Sequence, residues 1–320
     1  MIVVAGEALI DLVPSPVAAP VPAAGGADAG LTPLLPRRGG GPYNTALALG
    51  RLASPVAFCS RISTDGFGEA LLTGLRSDGV DTALVQRGPE PTTLAVASIG
   101  TDGSAGYGFY AEGTADRLFE LPAALPEAAR ALSLGTCSLV LEPGASAYEA
   151  LLRREAGRGL FTTLDPNVRA GLIPDPDAYR ARFRSWLPYV SLLKLSVDDA
   201  EWLASGDAGL DTALDSWLAA GPAALVLTQG AAGLRVLTRS GVALTVPAEP
   251  VGVVDTIGAG DTVNAALLHR LAGHRALTPA GAAELDADGW QDVLRFAARA
   301  AAITCSRPGA QPPYAAELGL

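Results

Sequence analysis

The sequence predicts an α/β fold: a mainly parallel central sheet with helices on both faces, and a small β layer beside it. Three observations lead there. Short apolar runs alternate with helical patterns through the middle of the chain, from ALSLGTCSLVL to AALVLTQG, and such alternation builds parallel sheets because each crossover needs a helix. The 320 residues combine many aliphatic side chains with a modest charged fraction, which suits one large core. Two hairpin-like stretches break the rhythm and need a place outside the parallel strands.

Taken in order, MIVVAGEALIDLV opens as a short apolar strand. From Pro14 to Arg38 the chain is rich in Pro, Ala and Gly and reads as an extended excursion. GGGPYNTALALGRLA then sets Pro42 near a helix start, followed by Leu47, Leu49 and Leu52 at helical spacing. VAFCSRIS reads as a strand and FGEALLTGLRSDG as a helix ending in glycine. Thr92 to Gly113 reads as a hairpin turning at Asp102 and Gly103. With strand-capable residues after Leu12 it would form a lid, from about 12–38 and 92–113, able to keep water from a reactive group. Strands and helices then alternate through AYEALLRREAGRG, LFTTLDP, AYRARFRSWL, SLLKL and DDAEWLAS, and GLRVLTRSGVALTVPA adds a second hairpin. One domain over 1–320 accounts for all of this.

Composition excludes several classes. A net charge of −10 argues against a nucleic-acid surface, which needs clustered cations. No long apolar span and no basic leader are present, so a cytoplasmic location away from membranes is expected. Cys59, Cys137 and Cys305 stand apart in apolar surroundings and are expected to be reduced, buried thiols. His269 and His274 read as solvated residues near a helix end. Lys194 is the only lysine, so no Walker A loop exists, and no GxGxxG follows the first strand.

What remains is DTIGAGD, from Asp255 to Asp261, at the mouth of a helix. Small residues leave backbone amides uncovered, and a helix start attracts anions. Asp261 there is either a cap or a proton acceptor beside a phosphate. In the second reading the amides of Ala259, Gly260 and Asp261 meet the charge of a transferring phosphoryl group. A carboxylate at a helix start is expected to be ionised at neutral pH and a weak base, adequate for a loose transition state.

GGGPYNTALALGRL and DTIGAGDTVNAAL resemble the two signatures of the ribokinase-like, PfkB-type sugar kinases. The order of GEALIDL, TLAVASI, LDPNVR, LKLSVDDAEWL, TQGAAG and CSRPGAQPP fits as well, so the resemblance spans essentially the whole chain. GEALIDLVP, GTAD, DPNVR, KLS and SRPGAQPP look most like bacterial fructokinases.

This resemblance implies a three-layer ribokinase-like sandwich with a β lid and an ATP-dependent sugar kinase using Mg²⁺. Asp261 would be the catalytic base, with Gly258, Ala259 and Gly260 as anion hole. Asp11, at the end of the first strand, would bind sugar hydroxyls with Gly40, Gly41, Asn44 and Asn167, and Arg169 would reach sugar or phosphate. Lys194, Ser196, Thr228, Gly230, Gly233, Ala298 and Ala302 match nucleotide-binding pieces. Relatives carry NxxE where this chain has Ser196 and Asp199, so Asp199 is the candidate for water-mediated magnesium. Asp255 and the Ile257 carbonyl match a monovalent-cation site for K⁺.

Fructose is the expected sugar, giving fructose 6-phosphate. The alternative 2-keto-3-deoxygluconate kinase would want basic lid residues, yet Thr92 to Ala115 holds no Arg or Lys; Arg169 or Arg37 could serve an acid. A silent sensor should have lost Asp261 or the glycines. An adenosine-type kinase would stack a base on lid aromatics such as Phe109 and Tyr110. Exposed lid edges admit a homodimer.

Overall fold

The structure is a computed structural model that describes residues 1–14, 33–99, 105–205 and 209–320. Its strands in chain order are β1 (Ile2–Ala5), β2 (Leu9–Pro14), β3 (Leu34–Gly39), β4 (Val56–Ser63), β5 (Val85–Gly88), β6 (Leu94–Ile99), β7 (Ala105–Tyr110), β8 (Ala131–Gly135), β9 (Phe161–Asp165), β10 (Leu192–Ser196), β11 (Ala224–Thr228), β12 (Leu234–Thr238) and β13 (Ala243–Val246). The helices are α1 (Gly41–Arg51), α2 (Gly66–Ser77), α3 (Gly144–Gly157), α4 (Pro176–Trp186), α5 (Val197–Leu203), α6 (Leu210–Ala220), α7 (Ala259–Gly273), α8 (Pro279–Glu284) and α9 (Ala287–Cys305).

Nine strands form the main sheet in the order β13-β12-β11-β10-β9-β8-β1-β4-β5. Pairing is parallel from β11 to β5, and the hairpin β12-β13 closes one edge antiparallel. Side-chain alternation builds two cores. Ile2 and Val4 of β1, with Ala224 and Val226 of β11, pack with Leu47, Leu71, Leu267 and Trp290 on one face. Val3, Ala5, Leu225 and Leu227 pack with Tyr148, Phe183 and Trp217 on the other. Helices on both faces leave the strand ends as the open edge, where ligands of such sheets bind.

A separate four-stranded sheet, ordered β3-β2-β6-β7, forms the small β layer. The opening run is therefore two strands, not one. At Gly6, with φ of 148°, the chain leaves the main sheet after β1 and enters the lid as β2. Asp11 thus sits in a lid strand and not at the end of the first strand. Much of the Pro-rich excursion and the turn expected at Asp102 and Gly103 lie outside the described residues. No helix among the described residues is long and apolar enough to cross a membrane.

Candidate active site

Gly258 caps α7 with φ of 77°, a left-handed conformation suited to glycine, and a Cβ there would come within 2.6 Å of the Ala310 side chain. The first turn of α7 uses its amides unequally. Ala259 N donates to Thr256 O at 3.2 Å and Thr262 N to Gly258 O at 2.9 Å. The amides of Gly260 and Asp261 have no protein acceptor among the described residues. The expected hole thus keeps two free donors of three, at the positive end of a 15-residue helix.

Asp261 is 8% exposed. Its Oδ2 accepts from Asn44 Nδ2 at 2.8 Å, and Asn44 lies inside α1. Burial pushes the Asp261 carboxyl up to about 7; the Asn44 hydrogen bond opposes this, and Asp165 adds to it. The expectation of a fully ionised, weak base is corrected by burial: near neutral pH this carboxyl can both take and release a proton.

Beside Asp261 lies a cavity of about 270 Å³. Asp11, Gly40, Gly41, Asn44, Asn167 and Arg169 all line it. Strand register supplies its roof: Asp11 pairs with Ala95 and Ala95 with Phe109, and all three face the cavity. Burial pushes Asp11 up to about 6, with Arg169 opposing. Below, a Cβ on Gly41 would stand 3.2 Å from Asp261 Oδ1 and 2.5 Å from Thr136, so only glycine leaves this approach open. Asn167 follows β9 with φ of 39°, which Asn tolerates. Its Oδ1 accepts from Arg169 Nη1 at 2.7 Å, fixing the exposed guanidinium at the mouth.

A second cavity, about 560 Å³, opens on the other side of the turn. Thr228, Gly230, Gly233, Ala298 and Ala302 line it as expected, together with Val251 and Val253. Thr256 and Gly260 line both cavities.

Other expected residues are placed differently. Lys194 and Ser196 do not line the second cavity. Lys194 Nζ is buried and donates to Asp165 Oδ2 at 2.7 Å. Ser196 caps α5 in a capping box with Asp199, whose Oδ2 accepts from Ser196 Oγ at 2.6 Å. Asp199 Oδ1 accepts from Val168 N at 2.7 Å, which ties the DPNVR loop to the first turn of α5. Asp199 thus accepts from protein donors at both oxygens, and Oδ1, with one donor, keeps acceptor capacity. Among the described residues no group of three His, Cys, Asp or Glu could hold a metal. Asp255 accepts from Ile257 N at 3.0 Å and Gly309 N at 2.7 Å, pinning the turn ahead of α7 to the SRPGA loop.

All three cysteines are free, but Cys137 lines the first cavity and Cys305 the second, so their surroundings are not purely core. His269 is half-buried, hydrogen-bonded to Ser54 at 2.8 Å and stacked on Phe296, and burial lowers its pKa. Only His274 is solvent-exposed, beside Asp292 at 2.6 Å.

Comparison with known proteins settles the family. The pattern of the pfkB family carbohydrate kinases matches residues 1–317. The chain belongs to the pfkB family of carbohydrate kinases. A fructokinase of Rhizobium leguminosarum bv. trifolii is 39% identical over 290 residues, 89% of this chain and 84% of that one. Fructokinase-2 of Zea mays is 31% identical over 98% of this chain and 90% of that one. In structure, the pfkB kinase resembles a fructokinase with bound ATP from Xylella fastidiosa, with a TM-score of 0.87, 26% identity and coverage of 99% and 96%. The ribokinase-like α/β fold with its small extra sheet agrees with this likeness.

Sequence reasoning missed several residues of this pfkB kinase's site. Glu7 is buried in the cavity floor; Thr136 Oγ1 and Ser138 Oγ donate to its carboxylate, and Ser138 N does so at 3.0 Å. An acid standing in an otherwise apolar opening run was the available signal. For Val251 and Val253 the signal was weaker: apolar residues in EPVGVVD, a stretch with no helical or strand period.

Proposed function

We propose that this kinase transfers the γ-phosphoryl group of ATP to D-fructose, giving fructose 6-phosphate. The observation that carries the reading is the junction of two cavities at Thr256 and Gly260, with Asp261 on one side. Phosphoryl transfer needs acceptor and donor to meet in line at such a point. Asp261 takes the proton of the 6-hydroxyl as its oxygen attacks the γ-phosphorus. The bond to the bridging oxygen breaks and ADP leaves. The free amides of Gly260 and Asp261, in the turn made by Gly258, Ala259 and Gly260, meet the charge that develops.

Asp11, Asn44 and Asn167 offer the acceptors and donors that sugar hydroxyls need, and Gly40 and Gly41 let the ring approach the backbone. Arg169, at the mouth, serves the phosphoryl group. Thr228, Gly230, Gly233, Ala298 and Ala302 hold the nucleotide, whose phosphates point toward Gly260. Magnesium would come with the nucleotide and supply charge neutralisation. Asp199, bonded to the DPNVR loop at Val168 N, is the candidate to reach it through water. Asp255 with the Ile257 carbonyl is the candidate potassium position.

Fructose is favoured over a keto-acid sugar by charge. Arg169 stands among Glu7, Asp11 and Asp261 in the cavity lining, so a substrate carboxylate would meet three acids and one cation. The fructokinases named above support the same choice. We also read the exposed edges of β3 and β7, with Tyr110 67% exposed, as a homodimer surface, to be checked by light scattering.

The direct test compares kcat/KM with Mg-ATP for fructose, ribose, 2-keto-3-deoxygluconate and adenosine, with and without potassium. Preference for fructose supports the reading. Preference for the keto-acid would overturn the substrate and give Arg169 the carboxylate.

A further inference from the structure

Lys194, the single lysine, lies in the interior at 3% exposure, where β10 delivers it to the carboxyl edge of the sheet. Its ammonium donates to Asp165 Oδ2 at 2.7 Å. Asp165 ends the neighbouring strand β9 and is 4% exposed. Its other oxygen, Oδ1, meets no protein donor among the described residues. Asp165 also borders a void of about 10 Å³, shared with Asp261, Asn264, Ser133 and Thr45, which is room for one water. On its far side the ammonium touches the GAGD turn: a methyl on Gly260 would stand 2.9 Å from Nζ.

A buried ion pair is a weak device for stability, because taking both charges out of water costs several kcal/mol per ion and well-packed apolar residues often do as well. This pair lies between two strand ends and the helix that bears Asp261, where its charges act on that carboxyl. A lone buried ammonium there would hold Asp261 ionised and make it a poor proton acceptor. A lone carboxylate would hold it protonated and useless as a base. Arg169 also faces Asp261, and Glu7, Asp11 and Cys137 share its cavity.

We propose that Asp165 is a positioning residue for phosphoryl transfer: it holds the Lys194 ammonium beneath Gly260, and the balanced pair keeps Asp261 competent to accept the hydroxyl proton. This rests on the reading of Asp261 as base. The directions agree with the local electrostatics, since Asp165 raises the Asp261 carboxyl and Lys194 lowers it. Burial pulls Lys194 down, yet Asp165, with Asp261 and Asp199 adding to it, holds the ammonium above its ordinary value.

The test is the acid limb of kcat/KM for the sugar in four proteins. Asp165→Asn leaves the positive charge unopposed and should move the limb down by about one pH unit; Lys194→Met should move it up by a similar amount. The double variant should return to within about half a unit of the parent. A merely structural role would lower activity without these opposed shifts, so an unmoved limb, or two shifts of one sign, overturns the proposal. Asp261→Asn separates the two readings. Near-parent turnover in it sinks the base assignment, whatever the limbs do. Because the chain has one lysine, ε-¹³C-lysine labelling gives one resonance, readable even where the Asp165 or Lys194 variants do not fold. Its titration should fall in Asp261→Asn relative to the parent, and an unchanged titration would show that the pair does not sense Asp261.

Discussion

Asn44 Nδ2 donates to Asp261 Oδ2 at 2.8 Å, joining two residues 217 positions apart. The bond locks α1, which follows the glycine run, onto α7, which follows the GAGD turn. It favours the ionised carboxyl against the burial that opposes it. Asn44→Ala should therefore lower kcat/KM by about 10- to 100-fold, the worth of a hydrogen bond to a charged group. It should also raise the Asp261 pKa, so the loss should be larger at pH 6.5 than at pH 8.5. Equal losses at both pH values would mean that Asn44 serves only the sugar.

Asp261, the proposed base, gives a paired prediction. Asp261→Asn should reduce turnover by about 10² to 10⁴, the usual effect of losing a positioned general base, with little change in ATP affinity. Stability should move the other way. Folding raises this carboxyl from 3.8 to about 7, so its contribution is fully present below the unfolded value and is lost as pH rises through the folded one. At pH 8 the parent buries a charge that the variant lacks. Thermal unfolding should find Asp261→Asn more stable than the parent at pH 8, with the gain vanishing toward pH 4.

Burial raises Asp11 less, to about 6, because it is less buried than Asp261. As a carboxylate it can accept from two hydroxyls; protonated, it loses that capacity. The sugar KM should rise as pH falls through 6 while the ATP KM stays level. Asp11→Ala should raise the sugar KM at every pH, with about 1.5 to 3 kcal/mol lost per hydroxyl bond. A rise confined to the ATP KM would exchange the two cavities.

The sheet was legible because period and turn chemistry agree along β8 to β11, and the glycine turns were legible because few other functions need GAGD before a helix. Asp11 was assigned to the wrong strand since apolar residues continue on both sides of Gly6, and pattern alone does not mark a change of sheet. Lys194 was harder. A lysine in LLKLS points to burial with a partner, but Asp165 lies 29 positions away on an adjacent strand, and parallel neighbours cannot be paired from one sequence. The capping box at Ser196 and Asp199 was visible in its spacing; the bond from Val168, which occupies the second Asp199 oxygen, was not.

Glu7 joins three pieces of the first cavity, the one proposed for the sugar. Its carboxylate accepts from Gly41 N at 3.3 Å and Ser138 N at 3.0 Å, and the hydroxyls of Thr136 and Ser138 close around it. Burial pushes its pKa up while those two hydroxyls pull it down. Two of the donors are backbone amides that cannot turn away; deleting the acceptor leaves that of Ser138 buried and unsatisfied, at about 1 to 3 kcal/mol, and that of the part-buried Gly41 open to the cavity. Glu7→Ala should lower stability by about 2 to 5 kcal/mol in urea unfolding. Since Gly41 and Thr136 line the cavity proposed for the sugar but not the one proposed for the nucleotide, the folded variant should show a several-fold higher sugar KM and an unchanged ATP KM. Glu7→Gln keeps one acceptor oxygen and should fall between the two. Equal changes in both KM values would point instead to a general loosening of the sheet edge, with Glu7 no more than a core residue.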